Sequence, residues 1–120
     1  MKKSLTKPEI LRTRREIQRV FRSSRIYRTN GLHLRIVDND LGWSRVLFAT
    51  PRSLKGAVKR NRTRRQVREI YRQLKEHIRP GIDLAFVLYP GNFSFQDRYE
   101  QITTLLRRAG VLPDEKEVSW

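Results

Sequence analysis

Cysteine is absent from this 120-residue chain, which excludes disulfides, thiol nucleophiles and cysteine-based zinc sites. Histidine is scarce: only His33 and His77 occur, far apart and in no metal-ligand spacing. Each reads as a surface or internally satisfied residue. Acidic residues are few as well, and they are scattered. Asp38 and Asp40 flank a turn, where aspartate belongs for backbone reasons. Asp83 precedes an apolar run, and Glu69 reads as an intrahelical partner for Arg65 or Arg72. Protein-catalysed hydrolysis of a phosphodiester would need clustered carboxylates for metal ions or a histidine pair, so no catalytic residue and no metal site is expected. Long hydrophobic runs are missing too; a stretch such as Leu84–Tyr89 is far too short to cross a bilayer. Met1-Lys2-Lys3-Ser4 leads into no apolar segment and does not read as a signal peptide. The expected location is the cytoplasm, with no membrane partner.

What the chain has in abundance is positive charge: 27 Lys/Arg against 12 Asp/Glu, a net of +15. Its distribution says more than its size. Residues 1–72 carry 21 Lys/Arg and 5 Asp/Glu, a net of +16, whereas residues 73–120 carry 6 and 7, a net of −1. A one-sided cationic field is the footprint of a polyanion binder. A membrane-surface helix would also need a broad apolar face with aromatic anchors, and none is present. Nucleic acid is therefore the expected partner. The length fits one domain, and an apolar content of 38% allows a single modest core.

Thr6-Lys7-Pro8-Glu9 has the pattern of a capping box, and Ile10, Ile17, Val20 and Phe21 recur at helical spacing, which predicts a helix over 7–23. Leu32, Leu34 and Ile36 alternate with His33, Arg35 and Val37 as in a strand. Asp38-Asn39-Asp40-Leu41-Gly42 reads as a turn, and a second strand at Ser44–Thr50 is expected to pair with the first as an antiparallel hairpin. Ile26–Arg28 can add a short edge strand. From about Gly56 to Ile78 the pattern is helical, with Val67, Ile70, Tyr71, Leu74 and Ile78 as the buried stripe. Pro80-Gly81 ends it. Leu84–Tyr89 reads as a central strand, Ser94 and Asp97 open a helix at about 95–109, and Gly110 closes it. The order α-β-β-β-α-β-α predicts a single-domain two-layer α+β sandwich over residues 1–113, with 114–120 as a flexible acidic tail.

Lys55 to Arg72 holds eight basic residues and one acidic residue in eighteen positions. Arg60, Arg64, Arg68 and Arg72 are spaced by four and are expected to line one helix face away from the apolar stripe, widened by Arg62 and Arg65, with Asn61 among them. Like charges four apart destabilise a helix by about 0.2–0.5 kcal/mol per pair. Stacking several of them makes physical sense when an anionic partner neutralises them. Arginine suits bidentate phosphate contacts and stacking on bases. From charge alone, a structural RNA-binding protein, such as a ribosomal protein or RNA chaperone, is an open alternative. A helix-turn-helix DNA binder is disfavoured because strands, not helices, precede the basic helix.

The segment Gly56-Ala57-Val58-Lys59-Arg60-Asn61-Arg62-Thr63-Arg64-Arg65-Gln66-Val67-Arg68-Glu69 resembles the signature of the bacterial ribonuclease P protein component, an Ala-Val-x-Arg-Asn-Arg core that continues into a basic helix. Leu11–Phe21 resembles that family's first helix, and Asp83–Tyr89 with residues 95–109 its last strand and helix; the likeness spans about residues 5–112. It departs at Lys55, where the family has glycine, and at His33 and Arg35, on a strand where the family favours apolar or aromatic residues.

The resemblance implies a four-stranded sheet with a left-handed β-α-β crossover carrying the Arg-Asn-Arg helix. It implies a protein subunit that assists a catalytic RNA in removing the 5′ leader from precursor tRNA. Arg52, Lys55, Lys59, Arg60, Asn61, Arg62, Arg64, Arg65 and Arg68 would then dock the catalytic RNA subunit. Arg14, Ile17, Phe21, His33 and Arg35 would hold the single-stranded leader. No cofactor belongs to the protein itself in this picture, no small-molecule ligand is expected, and Mg2+ is bound by the RNA partner.

Overall fold

The computed structural model describes residues 5–23 and 25–113. Three helices, α1 (Arg14–Ser23), α2 (Ala57–Leu74) and α3 (Phe95–Arg108), alternate with four strands, β1 (Arg25–Thr29), β2 (Leu32–Asp38), β3 (Arg45–Ala49) and β4 (Ile82–Leu88). The tail at 114–120 lies outside the described residues.

β4 organises the sheet because nearly all of its side chains are apolar: six of its seven residues are buried. A strand covered on both faces belongs in the sheet interior. It pairs antiparallel with β2, from Leu32↔Leu88 to Asp38↔Ile82, and parallel with β3, from Arg45↔Asp83 to Ala49↔Val87. The sheet order is β1-β2-β4-β3, and α2 carries the crossover between the parallel neighbours β3 and β4.

The expected hairpin between the strands at 32–37 and 44–50 is therefore corrected: β4 lies between them. The hairpin forms instead one step earlier, where β1 pairs with β2 from Arg25↔Ile36 to Thr29↔Leu32. Asn30-Gly31 makes its two-residue turn, with Gly31 at φ 80°, and Asn-Gly is a favoured sequence for such turns. The Asp38–Ser44 connection does not fold back on β2. The Asn39 side chain accepts from the Leu41 amide at 2.7 Å and donates to Asp83 Oδ1 at 2.8 Å, while the Asn39 amide donates to the Gly81 carbonyl at 3.0 Å. These bonds lead the chain around the end of β4.

The helix expected over 7–23 is also corrected. Thr6 and Glu9 cap only a 3-10 turn at Lys7–Glu9. Ile10 then bridges Val46, and the Leu11 amide donates to the Val46 carbonyl at 3.0 Å. The helix restarts at a second box: Thr13 Oγ1 accepts from the Glu16 amide at 3.1 Å, and Glu16 Oε1 accepts from the Thr13 amide at 3.1 Å. The Ser94–Asp97 box opens α3 as expected, with reciprocal bonds of 3.0 and 2.9 Å. α2 ends at Leu74 rather than Ile78; a 3-10 turn at Lys75–His77 follows, and Ile78 is buried in extended backbone.

Alternation divides the sheet into two faces. Leu32, Leu34, Ile36, Val46, Phe48, Leu84, Phe86 and Leu88 meet Val67, Ile70, Tyr71 and Leu74 of α2 and Ile102, Leu105 and Leu106 of α3. At its centre Phe48, Tyr71 and Phe86 hold one another, with ring centroids 5.8–6.0 Å apart. Such pairs contribute about 0.5–1.5 kcal/mol each beyond their buried area. The reverse face carries a smaller cluster in which Val20 of α1 and Leu11 meet Ala85. α1 thus crosses the back of the sheet.

Candidate nucleic-acid interface

α2 presents its cations in two groups. Lys59, Asn61, Arg62, Arg65 and Arg68 are exposed, as are Arg52 and Lys55 in the turn before the helix. Arg60 and Arg64 are not part of the free face that spacing alone suggests. Steps of four residues advance around a 3.6-residue helix, so the row winds from the buried side outward. Arg60 is half-buried and donates to the Leu54 carbonyl at 3.4 Å; Arg64 donates to Thr50 Oγ1 at 3.2 Å and to Asn61 Oδ1 at 2.6 Å. Arg72 makes a two-pronged pair with Glu69, at 2.6 and 3.1 Å, and that pairing holds the Glu69 carboxyl below its ordinary pKa. Glu69 therefore serves Arg72 rather than Arg65. Gly56 turns the chain into α2 at φ 90°, a left-handed conformation that glycine adopts without strain.

The second surface lies on the back of the sheet. Arg28, His33, Val87 and Ala49 stand in one row across all four strands, since Arg28 pairs with His33, His33 with Val87, and Val87 with Ala49. The neighbouring row is Ile26, Arg35, Ala85 and Leu47. Ala85 is fully buried beneath α1, whereas Val87, His33 and Ala49 are half-buried. One row is thus covered, and the next forms a half-buried floor beside α1. His33 sits against Tyr89 with ring centroids 4.5 Å apart. Burial, and then the charges of Arg28 and Arg35, push its pKa below 6.5, so the ring is neutral at pH 7.

Of the residues expected in the groove, His33 and Arg35 share the sheet face as their spacing predicts. Ile17 and Phe21 are half-buried in the Val20–Ala85 cluster, so they anchor α1 and border the floor at once. Arg35 is drawn toward the helix: Nη1 donates to the Phe21 carbonyl at 3.1 Å, and the guanidinium lies 5.1 Å from the Phe21 ring centre. Arg14 stands on the outer surface of α1 with Arg15, Gln18, Arg19 and Arg22, not on the groove floor. Sequence reading missed Arg28, Val87, Tyr89 and Ala49. Only strand order brings them together; the one available signal was that Val87 and Tyr89, two apart, share a face of the strand-length apolar run.

Also unforeseen is the ionic knot that fixes α1. Asp83, fully buried, accepts from Arg45 Nε at 2.8 Å and Nη2 at 2.7 Å, and from Asn39 at 2.8 Å, with Arg19 at 3.5 Å. Arg45 Nη1 reaches Glu16 of α1 at 2.5 Å, and Arg19 also donates to the Asp38 carbonyl. The Thr13 amide first, then Arg12 and Arg45, hold the Glu16 carboxyl below its ordinary range. Trp43 is 44% exposed and is fixed by its indole N–H, which donates to the Pro8 carbonyl at 2.9 Å. No group of three or more His, Asp or Glu able to hold a metal occurs among the described residues. No helix is long and apolar enough to cross a membrane among them either.

Fold and surface together define a small α+β protein with a cationic helix on one side of a sheet and, on the other, a half-open face beside α1 that carries Arg28 and Arg35. The Ribonuclease P family pattern matches residues 5–110. A "Ribonuclease P protein component" from Roseiflexus sp. is 40% identical over 105 residues, covering 85% of this chain and 86% of that protein. The RNase P protein from Thermotoga maritima superposes with a TM-score of 0.76 at 26% identity, over 83% of this chain and 96% of that one. A Staphylococcus aureus RNase P protein structure shares the fold at 17% identity, with a TM-score of 0.77 over 88% and 98% of the chains. The chain belongs to the ribonuclease P protein family.

Proposed function

We propose that this chain is the protein subunit of ribonuclease P, which docks on the enzyme's RNA through α2 and holds the 5′ leader of precursor tRNA in the groove behind the sheet. The observation that carries the reading is the ordered Ala57–Arg68 segment, whose Lys59, Arg62, Arg65 and Arg68 are exposed beside no more than one acidic residue of the same helix. Arg52, Lys55 and Asn61 extend that docking face. Arg60 and Arg64 shape it by bracing α2 against the Thr50–Leu54 segment.

In the groove, Arg28 and Arg35 meet the leader's phosphates, while Phe21, His33, Val87 and Tyr89 offer apolar and aromatic surface to its bases. Base–aromatic stacking contributes about 1–3 kcal/mol per base and tolerates any sequence, as processing of many different leaders requires. Hydrolysis belongs to the RNA and the magnesium ions it binds; the protein supplies positioning and relief of phosphate repulsion.

The test is paired substrates. Arg28→Ala and Arg35→Ala weaken holoenzyme binding to tRNA bearing a leader of several nucleotides and leave mature tRNA binding nearly unchanged. Equal losses for both substrates place the groove outside the leader path.

A further inference from the structure

A pocket of about 470 Å³ opens between the first turns of α2 and the loop that joins β4 to α3. Lys59, Arg62 and Arg98 contribute cations to its lining, and no carboxylate is among the lining residues. Arg98 is only 3% exposed, yet its partners are neutral: the Gly31 carbonyl at 2.7 Å, the Tyr89 carbonyl at 3.0 Å and Gln101 Oε1 at 3.1 Å. With no counter-anion among the described residues, this buried guanidinium leaves a positive field in the cavity beside it.

The aromatic wall is built with equal care. Phe93 lies under Arg98, 4.5 Å from guanidinium carbon to ring centre. It is wedged against two glycines, since a Cβ at Gly31 would come within 2.4 Å of the ring and one at Gly91 within 2.2 Å. Leu54, buried, adds apolar surface to the lining, and Thr63, Gln66 and Asn92 add hydrogen-bonding groups.

From this combination we infer that the pocket receives one unpaired nucleotide of the RNA on which α2 docks, its base between Leu54 and Phe93 and its phosphates against Lys59 and Arg62. The volume lies within the roughly 300–1,000 Å³ range of small-ligand sites. Lys59 and Arg62 belong both to the pocket and to the docking face, so RNA lying along α2 passes the pocket mouth. The inference rests on the docking reading above.

The test fills the pocket without touching its charges. Thr63→Phe, in the full chain, is titrated with the ribonuclease P RNA over a series of salt concentrations. Loss of one buried base lowers affinity by roughly fivefold or more, while the salt slope stays at the wild-type value because Lys59 and Arg62, outside the filled volume, still meet the backbone phosphates of RNA lying along α2. Thr63→Ser binds as wild type. Wild-type affinity for Thr63→Phe, or a loss accompanied by a shallower slope, overturns the inference. Asn92→Trp narrows the cavity from the opposite wall and must reproduce the result. If both variants melt, a photo-crosslinking residue at position 92 gives the answer: crosslinks concentrate on one unpaired nucleotide, and crosslinks to paired RNA or to none overturn it. Failure of the docking reading looks different, because Arg65→Ala and Arg68→Ala would then change neither affinity nor salt slope.

Discussion

Replacing Arg45 with methionine keeps most of the side chain's volume and removes the guanidinium that makes two bonds to the fully buried Asp83 carboxylate and one to Glu16. Breaking a buried ion pair from one side costs about 3–5 kcal/mol, because the remaining charge is left in a low-dielectric interior. Here the cost falls near the lower end, since Asn39 at 2.8 Å and Arg19 at 3.5 Å still face the carboxylate. For a chain of this length a loss of about 3 kcal/mol lowers Tm by roughly 12 °C. Calorimetry and urea unfolding of Arg45→Met measure the loss. Asp83→Asn added to Arg45→Met removes the stranded charge while keeping an Asn39 partner, and recovers most of it. Because the same knot holds α1 to the sheet, the single variant also loses preference for leader-bearing over mature tRNA, and the double variant regains part of it. A Tm within about 4 °C of wild type for Arg45→Met, or no recovery in the double variant, would refute the claim that this ion pair fixes the groove wall.

Arg65→Ala and Arg68→Ala each make the salt dependence of RNA binding shallower by somewhat under one unit of slope, with stability held within about 0.5 kcal/mol; Arg64→Ala, by contrast, also lowers Tm, because its bonds to Thr50 and Asn61 brace α2. The protein free of RNA leaves precursor tRNA uncut, and correctly placed 5′ cleavage requires the RNA subunit and magnesium; cleavage by RNA-free protein would overturn the proposed division of labour. Glu16 ionises below its ordinary pKa of 4.5 in the folded state, so its contribution to stability is complete above that value and fades as pH falls through the lowered one. Glu16→Gln flattens the acid limb of the stability profile, and an unchanged limb refutes the capping role. His33 titrates below 6.5 by NMR in the free protein, and leader RNA raises its pKa by bringing phosphates to the groove; no upward movement places the leader elsewhere.

Local sequence determined α2, α3, β2 and β4 and the side of each that is buried. The 3.6-residue stripe Val67–Leu74, the Ser94–Asp97 box and the apolar run at 84–88 each follow from contacts between residues close in the chain. The charge excess marked α2 as the cationic helix, and the ordered segment from Ala57 to Arg68 identified the family. Which strands are neighbours was decided only in three dimensions. The alternation of 32–37 is the same whether its partner is β3 or β4, and burial of β4 on both faces selects the arrangement in which it separates them. That choice alone sets Arg28, His33, Val87 and Ala49 in one row, and it brings Arg45 beside Asp83 across 38 residues. The end of the first helix was equally ambiguous, because Thr6-x-x-Glu9 and Thr13-x-x-Glu16 offer two caps of the same kind. The bridge from Ile10 to Val46 draws the intervening backbone into an extended path and leaves the second cap to start α1. A hydrogen bond across 35 positions, from Leu11 to Val46, carries no periodic trace in the sequence, which is why the open sheet face, the ionic knot and the pocket beside α2 became legible only once the chain had closed.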